Sequence, residues 1–386
     1  MRLGILGGTF DPVHNGHISI AKHVKEEFAL DMIFLMVAAS PPHKPSGCAD
    51  ADLRFSMVKL ACEDIDGIYA SDMELERSGK SYTSDTIERV SKLYPGAEIF
   101  FITGMDMLLD MPGWHDPGTI FDLSTVIGVV RDSSRSGLLS AASLLRSEFG
   151  AKVLLSDMQP FDISSTNIRH KIYNASAVRS QLPDGIAMFI YKSMLYLPDG
   201  FVSMQKSLYR QLEWNRYVHS LGTALEATEL ADKYGADGIK ARTAGLLHDC
   251  ARFDLGRQLD YAEKCGLKCY NGDIPDLLHA ELGAEIAKSE YGIMDDEIIQ
   301  SIRYHTAGCL GMSTLDRIIY LADKIEPSRS YDGIDQIRLA AYQDLDYAVA
   351  MAMKQSISYT LKKGGKLYKG TEDALKYILN ETERRY

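Results

Sequence analysis

The sequence predicts an α/β domain with a doubly wound parallel sheet, followed by an all-α domain. Short apolar runs alternate with amphipathic segments as far as residue 197, and this alternation is typical of strands and helices in a parallel sheet. From residue 203 onward the pattern is helical, with few β-branched runs. The chain has 386 residues, which is long for one hydrophobic core. We therefore assign residues 1–197 and 203–386 to two domains.

Composition and charge narrow the class of protein. Apolar residues make up 46% of the chain and charged residues 25%, as in an ordinary globular protein. The formal charge of −11, without a Lys/Arg-rich run, argues against a nucleic-acid partner and against binding to an anionic membrane. The chain shows no secretory signal and no apolar run of membrane-spanning length, and its 6 cysteines lack paired spacing. We expect a cytoplasmic protein with reduced thiols, and a homo-oligomer is compatible with the sequence.

A glycine-rich turn between the first predicted strand and the first predicted helix organises the N-terminal half. Residues 3–6 form an apolar run, residues 7–17 read GGTFDPVHNGH, and residues 18–24 have apolar positions at helical spacing. This order aims backbone N–H groups and a helix N-terminus at a phosphate. His14 and His17 are three residues apart, so both rings can face one anion. The turn therefore predicts a phosphate site, in preference to a glycine turn with two surface histidines.

The next predicted strands end in loops that carry polar residues. Residues 32–37 are followed by a proline-rich loop with Lys44, and residues 99–102 lead to Gly104 and Asp106. In an open parallel sheet, ligands bind outside the carboxyl ends of the strands, so both loops are candidate ligand contacts. Gly104 admits a ligand close to the backbone, and the Asp106 carboxylate is suited to a ribose hydroxyl or to supporting a histidine.

Three later segments add candidate contacts. Trp114 lies in a Pro/Gly loop, where its ring either stacks on a planar ligand or is a half-buried packing residue, and the sequence favours neither interpretation. The predicted strand at residues 125–131 ends in Arg131, whose guanidinium suits a phosphate. Ser165 and Thr166 lie at a predicted helix start, with Arg169 one turn later. Hydroxyls, free N–H groups and a guanidinium together predict a second anion site.

These motifs resemble those of a known enzyme family. His14-Asn15-Gly16-His17 matches the (H/T)xGH motif of a nucleotidyltransferase superfamily. The segments GGTFDPVHNGH, SPPHK, SYTSDT, TGMD, the Trp114 loop and ISSTNIR are similar, in this order, to those of bacterial nicotinate-nucleotide adenylyltransferases. The resemblance covers residues 1–197. It implies a Rossmann-like nucleotidyltransferase fold and transfer of AMP from ATP to nicotinate mononucleotide, giving nicotinate adenine dinucleotide and pyrophosphate in NAD biosynthesis.

The resemblance also implies roles for individual residues. The two histidines would act on the triphosphate of ATP, with Mg²⁺. The implied ATP-binding residues are Gly8, Thr9, Phe10, His17, Gly104, Asp106, Ser165, Thr166 and Arg169. The implied substrate-binding residues are Lys44, Tyr82, Thr83, Trp114 and Arg131. Because a phosphate oxygen of the mononucleotide is the nucleophile, the enzyme needs no protein base; it aligns that oxygen and stabilises the leaving pyrophosphate.

Histidines and aspartates at wide intervals mark the helical second half. Each one lies in or beside an apolar segment, where an ionisable side chain is costly unless it is paired or binds a metal. Imidazole and carboxylate ligands suit Fe, Mn, Zn or Co. A single histidine of this kind would be read as a hydrogen-bonded core residue, but an ordered set favours a metal site. The set is His219, His248, Asp249, His279, His305 and Asp323.

This set, in the order H…HD…H…H…D, resembles the HD-domain phosphohydrolases. The segments HDCAR and ADKIEPSR are similar to those of the YqeK family, symmetrical hydrolases of diadenosine tetraphosphate. The resemblance implies two transition-metal ions, iron first among them, that bind phosphate and activate a water. One ion would be bound by His219, His248, Asp249 and Asp323, and the second by Asp249, His279 and His305, with Asp249 bridging.

The leading hypothesis is therefore a bifunctional enzyme whose partners are ATP, nicotinate mononucleotide and a dinucleoside polyphosphate. Two other interpretations of the second half stay open. In the first, the second half is a general nucleotide phosphatase. In the other, it is a nucleotide-sensing regulatory module without turnover. A complete ligand set counts against the sensor, because a sensor does not need an intact site for two metals.

Overall fold

A computed structural model describes residues 1–39, 48–76, 81–129, 135–159, 162–267 and 277–383. These residues form two compact units. The first unit comprises Met1–His170 and Arg179–Phe189, and the second comprises Lys171–Val178 and Ile190–Tyr386. The predicted division into residues 1–197 and 203–386 stays a prediction.

A six-stranded parallel sheet forms the centre of the described part of the first unit. Its strands, in chain order, are β1 (Arg2–Gly8), β2 (Met32–Val37), β3 (Ile68–Ser71), β4 (Glu98–Gly104), β5 (Ser124–Val129) and β6 (Val153–Leu155). The spatial order is β3-β2-β1-β4-β5-β6, and every pair is parallel. This is the strand order of a doubly wound sheet, so the predicted fold class is confirmed.

Helices connect these strands. They are α1 (Asn15–Glu27), α2 (Ala51–Cys62), α3 (Thr83–Leu93), α4 (Met105–Asp110), α5 (Pro117–Leu123) and α6 (Arg135–Phe149), with a 3₁₀ turn at Met111–Gly113. After β6 follow α7 (Ser165–Tyr173), a 3₁₀ turn at Arg179–Gln181 and α8 (Ile186–Lys192). Parallel neighbours need crossover connections, and a helix supplies each one.

The central strands β1 and β4 decide where a ligand site lies. Their interior residues, such as Ile5 and Phe101, are buried because helices cover both faces of a parallel sheet. Gly4 is required in β1, since a Cβ there would lie 2.9 Å from the Ile33 side chain on the neighbouring strand. The strand order reverses between β1 and β4, so a crevice forms beyond their carboxyl ends at Gly8 and Gly104.

The described part of the second unit is helical. Its helices are α9 (Asp199–Gln211), α10 (Trp214–Tyr234), α11 (Gly238–Leu247), α12 (Leu255–Lys264), α13 (Leu278–Ser289), α14 (Asp296–Tyr304), α15 (Thr314–Ile325), α16 (Ile334–Ala341), α17 (Leu345–Lys362) and α18 (Lys369–Glu383). The long helix α10 packs against α11 and α15, and α14 packs against α13 and α15. None of the helices within the described ranges is long and apolar enough to span a membrane.

Helices α10 and α11 approach each other closely at Gly245. A Cβ atom on this residue would lie 2.8 Å from the Ala224 Cα and 2.9 Å from the Thr223 carbonyl oxygen. Both atoms belong to the backbone of α10 and cannot move without displacing that helix. A glycine near the end of α11 therefore allows the backbones of these two helices to come close, at a cost in helix propensity.

We expect the substitution Gly245→Ala to lower the free energy of unfolding by about 1–3 kcal/mol, because the new methyl group overpacks a backbone contact. Urea denaturation followed by far-UV circular dichroism measures this change. Gly200→Ala in α9 is the matched control, since nothing lies within 4 Å of its Cβ position. The explanation fails if the two alanine variants are equally stable.

Candidate functional sites

Two histidines lie side by side where β1 passes into α1. His14 immediately precedes the helix, and His17 lies in its first turn. Their rings stack with centroids 3.6 Å apart and an interplanar angle of 27°. The backbone N–H of His14 donates to Nδ1 of His17 at 3.2 Å, so the hydrogen of the neutral His17 ring lies on Nε2. The arrangement presents an imidazole donor at a helix N-terminus, next to the carboxyl end of β1.

The turn between β1 and α1 is held by residues from the start of α7. Ser165 donates from its hydroxyl to the Pro12 carbonyl at 2.9 Å, and Arg169 donates to the Asp11 carbonyl at 2.7 Å. A second nitrogen of Arg169 lies 3.3 Å from the Thr166 hydroxyl. The three residues predicted as a second anion site therefore lie beside the turn that carries the predicted phosphate site. Ser165 and Arg169 hold this turn through their hydrogen bonds to its carbonyls.

The remaining predicted ATP contacts lie at the ends of the two central strands. Gly8 ends β1, and a Cβ there would lie 3.0 Å from the Phe10 ring, so a glycine lets that ring fold back over the strand. Thr9 is half-buried in the same turn. Gly104 ends β4 and precedes α4, in whose first turn Asp106 is exposed. Because β1 and β4 are neighbours, these residues flank one crevice.

The predicted substrate contacts are partly described. Tyr82 and Thr83 begin α3, where backbone N–H groups of the first turn lack helical partners. The Tyr82 ring lies over the exposed ring of His115, with centroids 4.2 Å apart. Lys44 and Arg131 fall outside the described residues.

The Trp114 side chain packs against the core of the sheet. Its ring meets the Phe101 ring edge to face, with centroids 6.1 Å apart and an interplanar angle of 77°. The residue is half-buried. This contact supports the packing interpretation, whereas stacking on a ligand stays a prediction.

Arg54 and His115 were not predicted from the sequence. Arg54 lies in the amphipathic helix α2, where arginine usually extends into solvent, yet it is 0% exposed. Its Nη1 atom donates to the Thr9 carbonyl at 2.7 Å. A signal was present for His115, since it follows Trp114 in the same loop. No local pattern marks Arg54 as buried.

In the second unit, the six predicted metal ligands lie together; we call them the HD cluster. Three of them form its first side. The Nε2 atom of His219, on α10, lies 2.9 Å from Asp323 Oδ1, on α15. The same atom lies 3.1 Å from Nε2 of His248, which follows α11. All three side chains are buried.

The Asp249 carboxylate lies between the two sides of the HD cluster. Its Oδ2 atom is 3.7 Å from His248 Nε2 and 3.9 Å from His219 Nε2. Its Oδ1 atom is 3.3 Å from His279 Nε2 and 3.5 Å from His305 Nε2. Each carboxylate oxygen therefore faces one pair of ring nitrogens, which is the arrangement that a carboxylate bridging two cations requires.

Backbone carbonyls fix the tautomers of two histidines in the HD cluster. His248 and His305 each follow the last residue of a helix, α11 and α14 respectively. The Nδ1 atom of each ring lies 2.7 Å from the carbonyl oxygen three residues earlier. A carbonyl only accepts hydrogen bonds, so Nδ1 carries the hydrogen and Nε2 presents a lone pair to the cluster.

The donor set of the HD cluster fits divalent transition metals. Glu326 lies 3.0 Å from Nδ1 of His219, so its carboxylate can orient that ring with Nε2 toward Asp323. His279 and His305 bring their Nε2 atoms to 3.2 Å of each other. The Nε2 lone pairs of His248 and His305 repel nearby carboxylate oxygens unless a proton or a cation lies among them. Neutral imidazoles with carboxylates suit Zn, Mn, Co and Fe.

The pKa values of the cluster follow from its burial and charges. Burial lowers the pKa of His248 to about 3 and that of His279 well below its usual range. Burial would raise the pKa of Asp249, but the surrounding histidines, His248 first, hold it well below its usual range. Burial would lower the pKa of His219, but hydrogen bonds to Asp323 and Glu326 raise it. The two neighbouring carboxylates therefore favour the protonated form of the His219 ring.

Four basic side chains approach the HD cluster. Their nitrogens lie 2.6–2.8 Å from its atoms: Arg216 contacts Asp249, Arg252 contacts His279, and both Lys324 and Arg329 contact Asp323. Arg216 and Glu326 were not identified from the sequence. A signal existed for Arg216, which lies three residues before His219 and so shares its helix face.

We expect the affinity of the HD cluster for Mn²⁺ to fall as the pH is lowered from 8 to 6. The raised pKa of His219 means that a proton occupies the ring over more of this range, and an ion must displace it. If the ion displaces one proton, its affinity falls by about tenfold for each pH unit below the pKa of His219. Calorimetric titration of chelator-treated protein in buffers of different ionisation enthalpy measures both affinity and proton release.

His115→Gln, which alters a histidine of the first unit, is the control and should bind Mn²⁺ with the wild-type pH dependence. His219→Gln should bind more weakly and release fewer protons. An Mn²⁺ affinity that is constant between pH 8 and pH 6 would show that this competition is absent.

Comparisons with known proteins match the two halves of the chain separately. A family model described as cytidylyltransferase-like matches residues 5–171, and a model described as HD domain matches residues 216–328. A protein of Clostridium beijerinckii named as a probable nicotinate-nucleotide adenylyltransferase is 35% identical over 201 residues, covering 50% of this chain and 98% of that protein. A protein of Citrifermentans bemidjiense with the same name is 38% identical over 213 residues, covering 51% of this chain and 99% of that protein.

One solved structure corresponds to about half of the chain. It is described as a predicted HD superfamily hydrolase involved in NAD metabolism, from Clostridium acetobutylicum. It is 36% identical, covers 47% of this chain and 97% of that chain, and has a TM-score of 0.45. The identity and coverage of the curated relatives, together with the two matching family models, decide the assignment. The N-terminal half of this chain belongs to the nicotinate-nucleotide adenylyltransferase family, and its C-terminal half carries an HD domain.

Proposed function

We propose that the N-terminal half transfers AMP from Mg²⁺-bound ATP to nicotinate mononucleotide, giving nicotinate adenine dinucleotide and pyrophosphate. The observation that carries this proposal is the stacked pair His14 and His17 at the helix start, beside the crevice between β1 and β4. Membership of the adenylyltransferase family supports the choice of substrates.

In this proposal the protein aligns reactants and stabilises charge. A phosphate oxygen of the mononucleotide attacks the α-phosphorus in line, and pyrophosphate leaves. His17 donates from Nε2 to the departing phosphates, and His14 lies beside it on the same side of the helix start. Gly8, Thr9 and Phe10 supply backbone contacts to ATP; Ser165, Thr166 and Arg169 flank the turn, and Gly104 and Asp106 lie near the ribose.

The nicotinate nucleotide would bind at the start of α3. Tyr82 and Thr83 lie there, and the Thr83 N–H or hydroxyl is our candidate for reading the ring carboxylate. Trp114 would add a stacking face from the neighbouring loop. Lys44 and Arg131 complete the proposed set and would contact phosphate or carboxylate groups.

We expect His17→Ala to lower kcat for adenylyl transfer by about 10²–10³-fold, because a donor to the charge that develops on pyrophosphate is lost. Pyrophosphate release from ATP and nicotinate mononucleotide measures the rate. His23→Ala is the matched control: His23 lies on the same helix and pairs with Asp157 outside the turn. Its kcat should stay within about twofold of wild type.

A wild-type protein that forms no dinucleotide from these substrates would refute the activity. Equal rates for His17→Ala and His23→Ala would refute the role of His17 and leave the activity standing.

We propose that the C-terminal half hydrolyses diadenosine tetraphosphate symmetrically to two ADP. The observation that carries this proposal is the Asp249 carboxylate, with one oxygen toward each pair of histidines. His219, His248, Asp249 and Asp323 would hold one ion, and Asp249, His279 and His305 the other. Two divalent ions bound there, with iron our first candidate, would supply Lewis-acid activation of a phosphoryl group and of water.

The charges around the HD cluster favour a long polyphosphate over a monophosphate. Arg216, Arg252, Lys324 and Arg329 each contact a proposed metal ligand. An ion at those ligands would repel the four cations, which would then be available to bind anionic oxygens. A chain of four phosphates presents more anionic oxygens to these cations and ions than a single phosphate does.

The test uses the full-length chain, purified without chelator and supplied with Fe²⁺, Mn²⁺, Co²⁺ or Zn²⁺. We expect diadenosine tetraphosphate to give ADP as the only nucleotide product by chromatography. The double variant His248→Ala/Asp249→Ala should lose this activity, because the proposed bridging ligand is gone. His17→Ala is the matched control: it alters the N-terminal site and should keep hydrolysis at the wild-type rate.

The other outcomes decide between the remaining hypotheses. AMP plus ATP would mean asymmetric cleavage. Faster turnover of mononucleotides would favour the general phosphatase. No turnover with any of the four metals would favour the nucleotide-sensing module.

We also propose a cytoplasmic location. Cys62, Cys250, Cys265 and Cys309 are free thiols, as expected in a reducing compartment. The proposed substrates, ATP and nicotinate mononucleotide, are nucleotides of the cell interior.

A further inference from the structure

Arg54 is the largest fully buried side chain of the described structure, and it is charged. Its guanidinium donates to three backbone carbonyls. Nη1 bonds to Thr9 at 2.7 Å, Nε to Ala49 at 3.0 Å and Nη2 to Ala39 at 3.4 Å. These carbonyls belong to the turn after β1, the segment before α2 and the segment after β2, so one side chain joins three parts of the unit.

No carboxylate within the described ranges forms an ion pair with Arg54. Burying a guanidinium is costly unless it is paired and hydrogen-bonded, and carbonyl oxygens supply only partial negative charge. The nearest acidic link is indirect: Asp11 accepts a hydrogen bond from the Ala49 backbone at 3.1 Å. An apolar residue in the same space would remove the donor to three backbone carbonyls, so the guanidinium holds these segments in a way that packing alone does not.

The turn that Arg54 contacts has a disfavoured backbone. Phe10, directly after Thr9, has φ of 51°, in the left-handed region that residues with a Cβ rarely adopt. Such a conformation persists only where its surroundings fix it. Arg54 holds Thr9 from one side of the turn, and Arg169 holds the Asp11 carbonyl from the other. Two guanidiniums therefore clamp Phe10 between them.

The direction of the Phe10 amide follows from the Arg54 contact. In a trans peptide the C=O and N–H bonds point in opposite directions. With the Thr9 carbonyl directed at the Arg54 guanidinium, the N–H of Phe10 in the same peptide is directed away from it. A carbonyl turned outward at this position would repel a phosphate, whereas an N–H attracts one.

We propose that Arg54 is a positioning residue for adenylyl transfer: by holding the Thr9 carbonyl, it orients the Phe10 N–H as a hydrogen-bond donor to the triphosphate of ATP. The inference rests on the proposed function of the N-terminal half. Arg54 itself touches neither substrate, and it acts through the peptide between Thr9 and Phe10.

The experiment compares Arg54→Met, which keeps the bulk but not the charge, with Arg54→Lys, which keeps the charge but only one donor group. Each full-length variant is assayed for kcat and KM in the transfer reaction. Dissociation constants are measured for adenosine and for an ATP analogue with a methylene group between the α- and β-phosphates. Arg146→Lys is the control, since Arg146 donates to the Val153 carbonyl at the opposite end of the sheet, at 2.6 Å.

We expect Arg54→Met to lower kcat by about 10- to 100-fold and to weaken binding of the ATP analogue by a similar factor. Adenosine binding should be unchanged, because adenosine has no phosphate. Arg54→Lys should recover part of both losses, and Arg146→Lys should match wild type. A merely structural role would weaken adenosine and the analogue alike.

The proposal is overturned if Arg54→Met retains wild-type kcat and analogue affinity, or if it weakens adenosine and the analogue by the same factor. If Arg54→Met does not fold, Arg54→Lys decides: wild-type values for a stable Arg54→Lys protein also overturn it. Wild-type protein that binds the analogue but transfers no AMP to nicotinate mononucleotide would refute the proposed function alone. The comparison of analogue with adenosine would then still test Arg54.

Discussion

The requirement that buried charge be compensated governs both units of this chain. In the first unit, the Arg54 guanidinium is removed from water and bound by backbone carbonyls. In the second, Asp249 and Asp323 are removed from water among histidines and basic side chains. Leaving such groups uncompensated would cost more than the free energy of unfolding of a typical domain. The surrounding helices and loops must therefore hold their partners in place.

The compensation takes opposite forms at the two sites. The turn after β1 has an excess of positive charge: two guanidiniums and a helix N-terminus meet one carboxylate, Asp11, whose Oδ2 lies 3.6 Å from Arg169. Such a region is suited to an anion. The HD cluster combines two carboxylates with ring nitrogens that present lone pairs, and is suited to cations. Basic side chains around it then provide for a second, anionic ligand. Both arrangements suit a phosphate ligand: the turn would bind it directly, and the HD cluster would bind it through cations.

Local backbone geometry fixes the orientation and the tautomer of several site histidines. His248 and His305 both end their helices and use the carbonyl three residues earlier to fix the ring. That carbonyl lacks a helical partner at a helix end, so the histidine satisfies it and gains a defined tautomer at the same time. At the other site, the His14 backbone fixes the tautomer of His17 in the first turn of α1. Helix ends serve as the orienting device in both units.

The fold class and most of the candidate site residues could be predicted from the amino-acid sequence alone. Alternating apolar runs predict the parallel sheet because strands buried on both faces must be apolar throughout. The glycine-rich turn places His14 and His17 together because they are one helical turn apart. The six HD-cluster residues are widely spaced along the chain, and this spacing does not indicate which of them lie together. They could be grouped only because ionisable side chains in apolar helices need partners and because their order resembles a known family.

Tertiary structure decided what depends on contacts between distant segments. Arg54 looks like a surface arginine in its own helix, and only the packing of α2 beside the turn after β1 buries it. Glu326 was outside the predicted set, and only the approach of α15 to α10 brings it to His219. The packing contact of Trp114 with Phe101 is likewise visible only in the folded chain. Periodicity specifies which face of an element is apolar, whereas hydrogen bonds between elements depend on how those faces are finally packed.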